Sequence, residues 1–79
     1  MSRDEIIEKL SLIFRDVFDD DSIELSDSTS ADDIEEWDSL SHITLLFEVE
    51  SVFGFKFSMS DLSSMKNVGD MVVRIEELA

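Results

Sequence analysis

The chain contains no cysteine, so it can form neither a disulfide nor a zinc-thiolate site, and any sulfur chemistry would need an imported group. No apolar run approaches the ~20 residues needed to cross a bilayer. The opening, MSRDEIIEKL, lacks the charged and then apolar layout of a secretory signal. A cytoplasmic location with no transmembrane segment is the expectation. Basic residues are also scarce: 6 Lys and Arg stand against 20 Asp and Glu, for a formal net charge of −14. That balance argues against nucleic acid, whose binders need basic faces to displace phosphate counterions. The 79 residues allow one small domain spanning 1–79, without room for a large buried catalytic cavity. A hydrophobic content of 43%, patterned rather than bunched, predicts a compact and modestly stable monomer.

The basic residues are unevenly spread. No Lys or Arg occurs from Asp16 to Phe55, a window that holds 13 acids, among them Asp32, Asp33, Glu35, Glu36, Asp38, Glu48 and Glu50. One half of the molecule must therefore present a nearly unbroken negative field. Such a field can simply keep a protein soluble, or it can steer docking to basic partners.

The pattern along the chain is helical. Ser2 with Glu5 matches a capping box, and Ile6, Ile7, Leu10, Ile13, Phe14 and Val17 follow at helical spacing, predicting a first helix over about 3–18. The next stretch, DDDSIELSDSTSADDIEEW, is too polar for regular structure, but Ile23, Leu25, Ala31 and Ile34 are candidate anchors for an ordered loop. Its aspartates do not form an EF-hand: Ile23 breaks the ligand alternation, and the required glycine and terminal glutamate are missing. Asp38 suits the N-cap of a second helix reaching Phe53, with Gly54 just beyond its end. Ser58 with Asp61 predicts a short third helix, and Asn67 with Asp70 a fourth carrying Val68, Met71, Val72, Ile75 and Leu78. The fold class is all-α: a four-helix bundle of three longer helices and one short one, with a long ordered loop between the first two.

The second helix is more apolar than one core requires. At about 100° per residue, Leu45, Leu46, Val49, Val52 and Phe53 fall on one side, whereas Leu40, Ile43 and Phe47 form a separate stripe. Either the helix is wedged between two others, or the second stripe is an exposed strip suited to a partner surface.

Ser39, in EEWDSLSHI, sits where these features converge. Asp38, Ser39 and His42 include the residue types of a hydrolytic triad, but residues in one helical turn rarely meet its geometric demands, and no GxSxG elbow is present. His42 is better read as a surface residue packing on Trp37 as a hydrophobic staple. Ser39 could be a plain first-turn residue, or it could carry a phosphodiester-linked group, because a helix start offers unpaired N–H groups and the positive end of the dipole.

WDSL followed by HITLLFEVESVFGFKFSMSDLSSMKNVGDMV resembles the acyl carrier protein family, in which the serine of a D-S-L motif receives 4′-phosphopantetheine. The resemblance covers essentially the whole chain. It includes Asp38, Ser39 and Leu40, the FGFKF segment, Asp61 and Leu62 of the third helix, and the NVGDMV opening of the fourth. It implies that Ser39 is the attachment point, that Asp38 caps the helix and helps define the site, and that Leu40 begins a partner face. Ile43, Phe47 and Glu50 would continue that face, with Asp32, Asp33, Glu35, Glu36 and Glu48 steering approach. The implied partners are a phosphopantetheinyl transferase and acyl-loading, condensing and acyltransferase-type enzymes with basic docking patches. A small apolar cavity near the second and third helices would also fit.

The chain departs from many fatty-acid carriers in having Thr44 and Ser51 where they place acids, and Trp37 where they place a small or aliphatic residue. These departures favour a specialised stand-alone carrier, non-catalytic itself, in a fatty-acid, polyketide or related pathway. The alternatives are a peptidyl or aminoacyl carrier and, from another class, a small acidic interaction domain with no prosthetic group. No metal site is expected.

Overall fold

The computed structural model describes residues 2–79. Four helices run in the order α1 (Arg3–Val17), α2 (Ser39–Phe53), α3 (Met59–Ser64) and α4 (Val68–Leu78), confirming the all-α bundle. Each starts where its sequence supplies a cap. Ser2 accepts from the Glu5 N–H, Asp38 from those of Leu40 and Ser41, Ser58 from Asp61 and Asn67 from Asp70. Each cap satisfies first-turn donors that no helical carbonyl can reach. α2 stops at Gly54, which takes the left-handed conformation (φ 78°) that glycine adopts without a Cβ penalty.

α1 packs against both α2 and α4. Ile6, Leu10, Ile13 and Phe14 of α1, Leu45, Leu46 and Val49 of α2, and Val68, Met71, Val72 and Ile75 of α4 form the centre of one buried cluster. Each such side chain contributes about 1.5–3 kcal/mol on full burial. Val52, expected with that set, is instead 45% exposed. It lies roughly 70° around the helix from the middle of the buried arc, past the edge that α1 covers.

The long loop is ordered by anchors and by backbone pairing. Ile23, Ile34, Phe18 and Trp37 enter the core, and Leu25 packs partly against it. Ala31 is a correction: it is exposed, because a turn held by the Asp33 N–H to Ser30 carbonyl bond (2.9 Å) leaves it at the tip. Thr29 is buried in its stead. Ser30 forms an isolated antiparallel bridge with Asn67. The Val68 N–H donates to the Thr29 carbonyl (2.8 Å) and the Gly69 N–H to the Asp27 carbonyl (2.9 Å). Asn67 Oδ1 takes the third donor, from Asp70, so loop and cap together satisfy the free N–H groups of α4. Arg3 adds a second tie, from α1 to Asp27 of the loop (2.6 Å) and to Glu76 of α4 (3.3 Å).

α3 is short and held from outside. Asp61 is buried, accepts from the Ser58 N–H (2.9 Å), and is gripped by Arg74 of α4 through Nε (2.8 Å) and a second guanidinium nitrogen (3.2 Å). The Ser58 N–H foremost, with the Arg74 guanidinium beside it, holds the Asp61 carboxyl below the usual carboxylate range.

Candidate functional site

The first turn of α2 sets the geometry around Ser39. Asp38 Oδ1 accepts from the N–H groups of Leu40 (3.0 Å) and Ser41 (2.9 Å), while the Asp38 N–H donates to Ser41 Oγ (2.8 Å). Ser41 stands at the third helical position where glutamate is more usual in a capping box, and its hydroxyl also donates to the Glu36 carbonyl (2.9 Å). The Ser41 N–H, helped by its hydroxyl and the Leu40 N–H, keeps the Asp38 carboxyl below its ordinary value and so ionised. Ser39 is the first helical residue, locked in backbone and exposed in side chain.

His42 is engaged by partners other than Ser39. Trp37 Nε1–H donates to His42 Nδ1 (3.0 Å), and His42 Nε2 lies 3.3 Å from the Leu62 carbonyl. With both imidazole nitrogens engaged and the Asp38 carboxylate spent on the cap, neither His42 nor Asp38 is free to activate the hydroxyl. The expected packing of His42 on Trp37 is present, with ring centroids 5.9 Å apart, but the histidine is half-buried rather than a surface residue. Trp37 is itself buried against Phe14 (5.2 Å, edge to face) and Phe18. That accounts for a large ring immediately before the motif.

A hollow of about 530 Å³ opens beside Ser39, between the start of α2 and the link from α3 to α4. Trp37, His42, Ile43 and Met65 give it a largely apolar wall, with Ala31 and Lys66 also lining it. An exposed serine on a largely apolar hollow, rimmed by the Lys66 cation and by Asp38, whose carboxylate is engaged in the helix cap, matches the demands of a flexible arm joined through a phosphodiester. The residues therefore fit such a group.

Of the stripe on α2, Leu40 (79%), Phe47 (60%) and Ile43 (38%) are exposed, so α2 is not wedged between two other helices at this face. Asp32, Asp33, Glu35, Glu36 and Glu48 are exposed as well. Glu50 is half-buried, and its carboxylate accepts from the Phe57 N–H (2.6 Å), fastening the chain after Gly54 back onto α2. α3 presents little free charge, because Asp61 is tied to Arg74, and its most exposed apolar side chain is Met59 (84%). Sequence reasoning missed the roles of Met59, Lys66 and Met65; only the meeting of α2 with the α3 corner brings the last two to Ser39.

Among the described residues no group of His, Asp or Glu side chains is placed to hold a metal ion, and no helix is long and apolar enough to cross a membrane.

Fold and site together define a class: a small acidic helical protein with an exposed serine at a capped helix start and an exposed apolar strip beside it. A family model for the phosphopantetheine attachment site matches residues 8–75. The chain belongs to that phosphopantetheine-binding family, the family of the acyl carrier proteins. It is 36% identical to an acyl carrier protein of Coprothermobacter proteolyticus over 96% of this chain and 93% of that one. It is 32% identical to the meromycolate extension acyl carrier protein of Mycolicibacterium aurum, over 98% and 79% of the two chains. The solution structure of a holo acyl carrier protein from Geobacter metallireducens superposes with a TM-score of 0.84 at 46% identity, covering 90% of this chain and 82% of that one. The prosthetic group of the family is 4′-phosphopantetheine.

Proposed function

We propose that this protein is a stand-alone acyl carrier that receives 4′-phosphopantetheine on Ser39 from a separate transferase. The observation that carries the reading is the exposed Ser39 at a capped helix start, on the rim of a largely apolar hollow, with the neighbouring His42 and Asp38 engaged elsewhere. A transferase that brings its own metal-assisted phosphoryl chemistry needs only an accessible, well-placed hydroxyl. When bound, the group's terminal thiol holds acyl chains as thioesters, supplying the sulfur that the cysteine-free chain lacks. Asp38 holds the helix start in place, Lys66 balances phosphodiester charge, and Trp37, Ile43 and Met65 offer the arm an apolar wall. The chain performs no catalysis.

Docking is divided between two kinds of residue. Asp32, Asp33, Glu35, Glu36 and Glu48 draw in basic patches, whereas Leu40, Ile43 and Phe47 make the close contacts. Glu50 serves this face through the backbone it fastens. With α3 nearly uncharged outside its ion pair, the negative field lies on the loop and α2, so partners are expected to carry their basic patch opposite the loop. This distribution, with Thr44 and Ser51 on α2, supports service to a dedicated set of cytoplasmic enzymes in a specialised fatty-acid, polyketide or related pathway. Relatives named as acyl carriers support an acyl rather than an aminoacyl cargo.

The test is intact mass measurement after incubation with coenzyme A and a broad-specificity phosphopantetheinyl transferase. The protein is expected to gain the mass of one phosphopantetheine and Ser39→Ala none. No gain, or an equal gain in the variant, refutes the reading.

A further inference from the structure

The indole nitrogen of Trp37 can only donate, so His42 Nδ1, 3.0 Å away, must be the acceptor. The proton of the neutral ring then sits on Nε2, facing the Leu62 carbonyl 3.3 Å away. One imidazole thus spans three pieces of chain: the end of the loop at Trp37, its own place on α2, and Leu62 of α3. α3 is six residues long and has few other ties to α2. A protonated ring would carry a second N–H at Nδ1, pointing at the indole N–H. Two donors cannot share that bond.

We propose that His42 is a positioning residue: its neutral ring clamps Trp37 and α3 to the start of α2, and its protonation opens that clamp beside Ser39. The functional weight of the clamp rests on the carrier reading, because the start of α2 and the link that follows α3 together wall the hollow beside Ser39; the clamp itself does not. The charged groups around it are Asp38 at the start of α2, Glu35 and Glu36 on the loop, Lys66 after α3, and Asp61 on α3, the last ion-paired with Arg74 of α4. α1 meets this corner through the uncharged ring of Phe14, and its C-cap through that of Phe18. Histidine is the side chain that ordinarily gains its charge between about pH 8 and 5. The clamp is closed while the ring is neutral and accepts the indole N–H, and it opens when the ring gains a proton at Nδ1.

Trp37 and His42 are the only tryptophan and histidine of the chain, so each gives an unambiguous NMR signal. The test uses the unmodified full-length protein from pH 8 to pH 5, with no transferase, so its outcome is separate from that of the attachment experiment. The Trp37 indole N–H is expected to shift with the same midpoint as the His42 ring protons. Its protection against solvent exchange, relative to free tryptophan, is expected to fall about tenfold, as loss of one hydrogen bond implies. His42→Gln, whose amide accepts a bond but never titrates, should keep the protection and show no pH step, while His42→Leu should lose it throughout. The proposal is overturned if the ring stays neutral to pH 5, if it titrates while the indole protection is unchanged, or if His42→Gln keeps the same step.

Discussion

Replacing Gly69 by alanine should destabilise this protein, although it lies within a helix where the same change is ordinarily favourable. In a helix interior, Gly→Ala gains up to about 1 kcal/mol of propensity, and less in a first turn. Here an added Cβ would sit 2.9 Å from the Asp27 carbonyl oxygen and 3.2 Å from Asn67 Oδ1. The first is a backbone atom that itself accepts the Gly69 N–H, so it cannot withdraw without breaking the tie between loop and α4. Overpacking of this kind costs about 1–3 kcal/mol, and the lost hydrogen bond about 1 kcal/mol more. Against the propensity gain, the net loss should be about 1–3 kcal/mol, each kcal/mol lowering the melting temperature by about 4–8 °C for a domain of this size. Thermal unfolding followed by far-ultraviolet circular dichroism measures the loss. Amide exchange locates it: the Val68 N–H, bonded to Thr29, should exchange faster. Gly54→Ala is the contrast, since open space surrounds its Cβ and its cost, about 1–2 kcal/mol, comes from the left-handed backbone alone, leaving Val68 protected. A Gly69→Ala protein as stable as the parent would refute the account of how the acidic loop is held.

Three further outcomes follow from the same structure. Leu40→Ser and Phe47→Ser, at 79% and 60% exposed positions, should change stability by under about 0.5 kcal/mol. Each should nevertheless weaken association with the transferase by about tenfold, as measured by calorimetry. That association should also weaken steadily as salt rises from roughly 0.05 to 0.5 M, because exposed charges are screened over about 10 Å at 0.1 M; salt-independent binding would mean that the acids only solubilise. The Asp61 carboxyl is held low in the folded state, so its contribution is complete above the unfolded carboxylate value and lost as pH falls through the folded one. The stability gap between the parent and Asp61→Asn in urea melts should accordingly be full at pH 7 and shrink below about pH 4.

Elements set by neighbouring residues were legible in the sequence, because a cap or a helical stripe is a local relation. Ser2, Asp38, Ser58 and Asn67 mark the four starts, Gly54 marks the end of α2, and the exposed Leu40, Ile43 and Phe47 match the surplus stripe read from spacing alone. Relations across the chain were not legible. Ala31 seemed an anchor for being apolar, yet the backbone pairing that buries Thr29 involves Asn67 and Val68, far along the chain. Val52 belongs to the buried set by angle only until the reach of α1 is known. Glu50 reads as one more acid until Phe57 folds back to meet it, and His42 reads as a surface ring until Leu62 supplies its second partner.

The central claim is that Ser39, and no other hydroxyl of this serine-rich chain, carries the prosthetic group. Fragment-ion mapping of the protein after treatment with coenzyme A and transferase tests it directly. The added mass is predicted to reside on Ser39 alone, with neighbouring Ser41 unmodified because its hydroxyl is bound to the Glu36 carbonyl. Phosphopantetheine mapped to Ser41 or to any other residue, or absent altogether, would contradict the account.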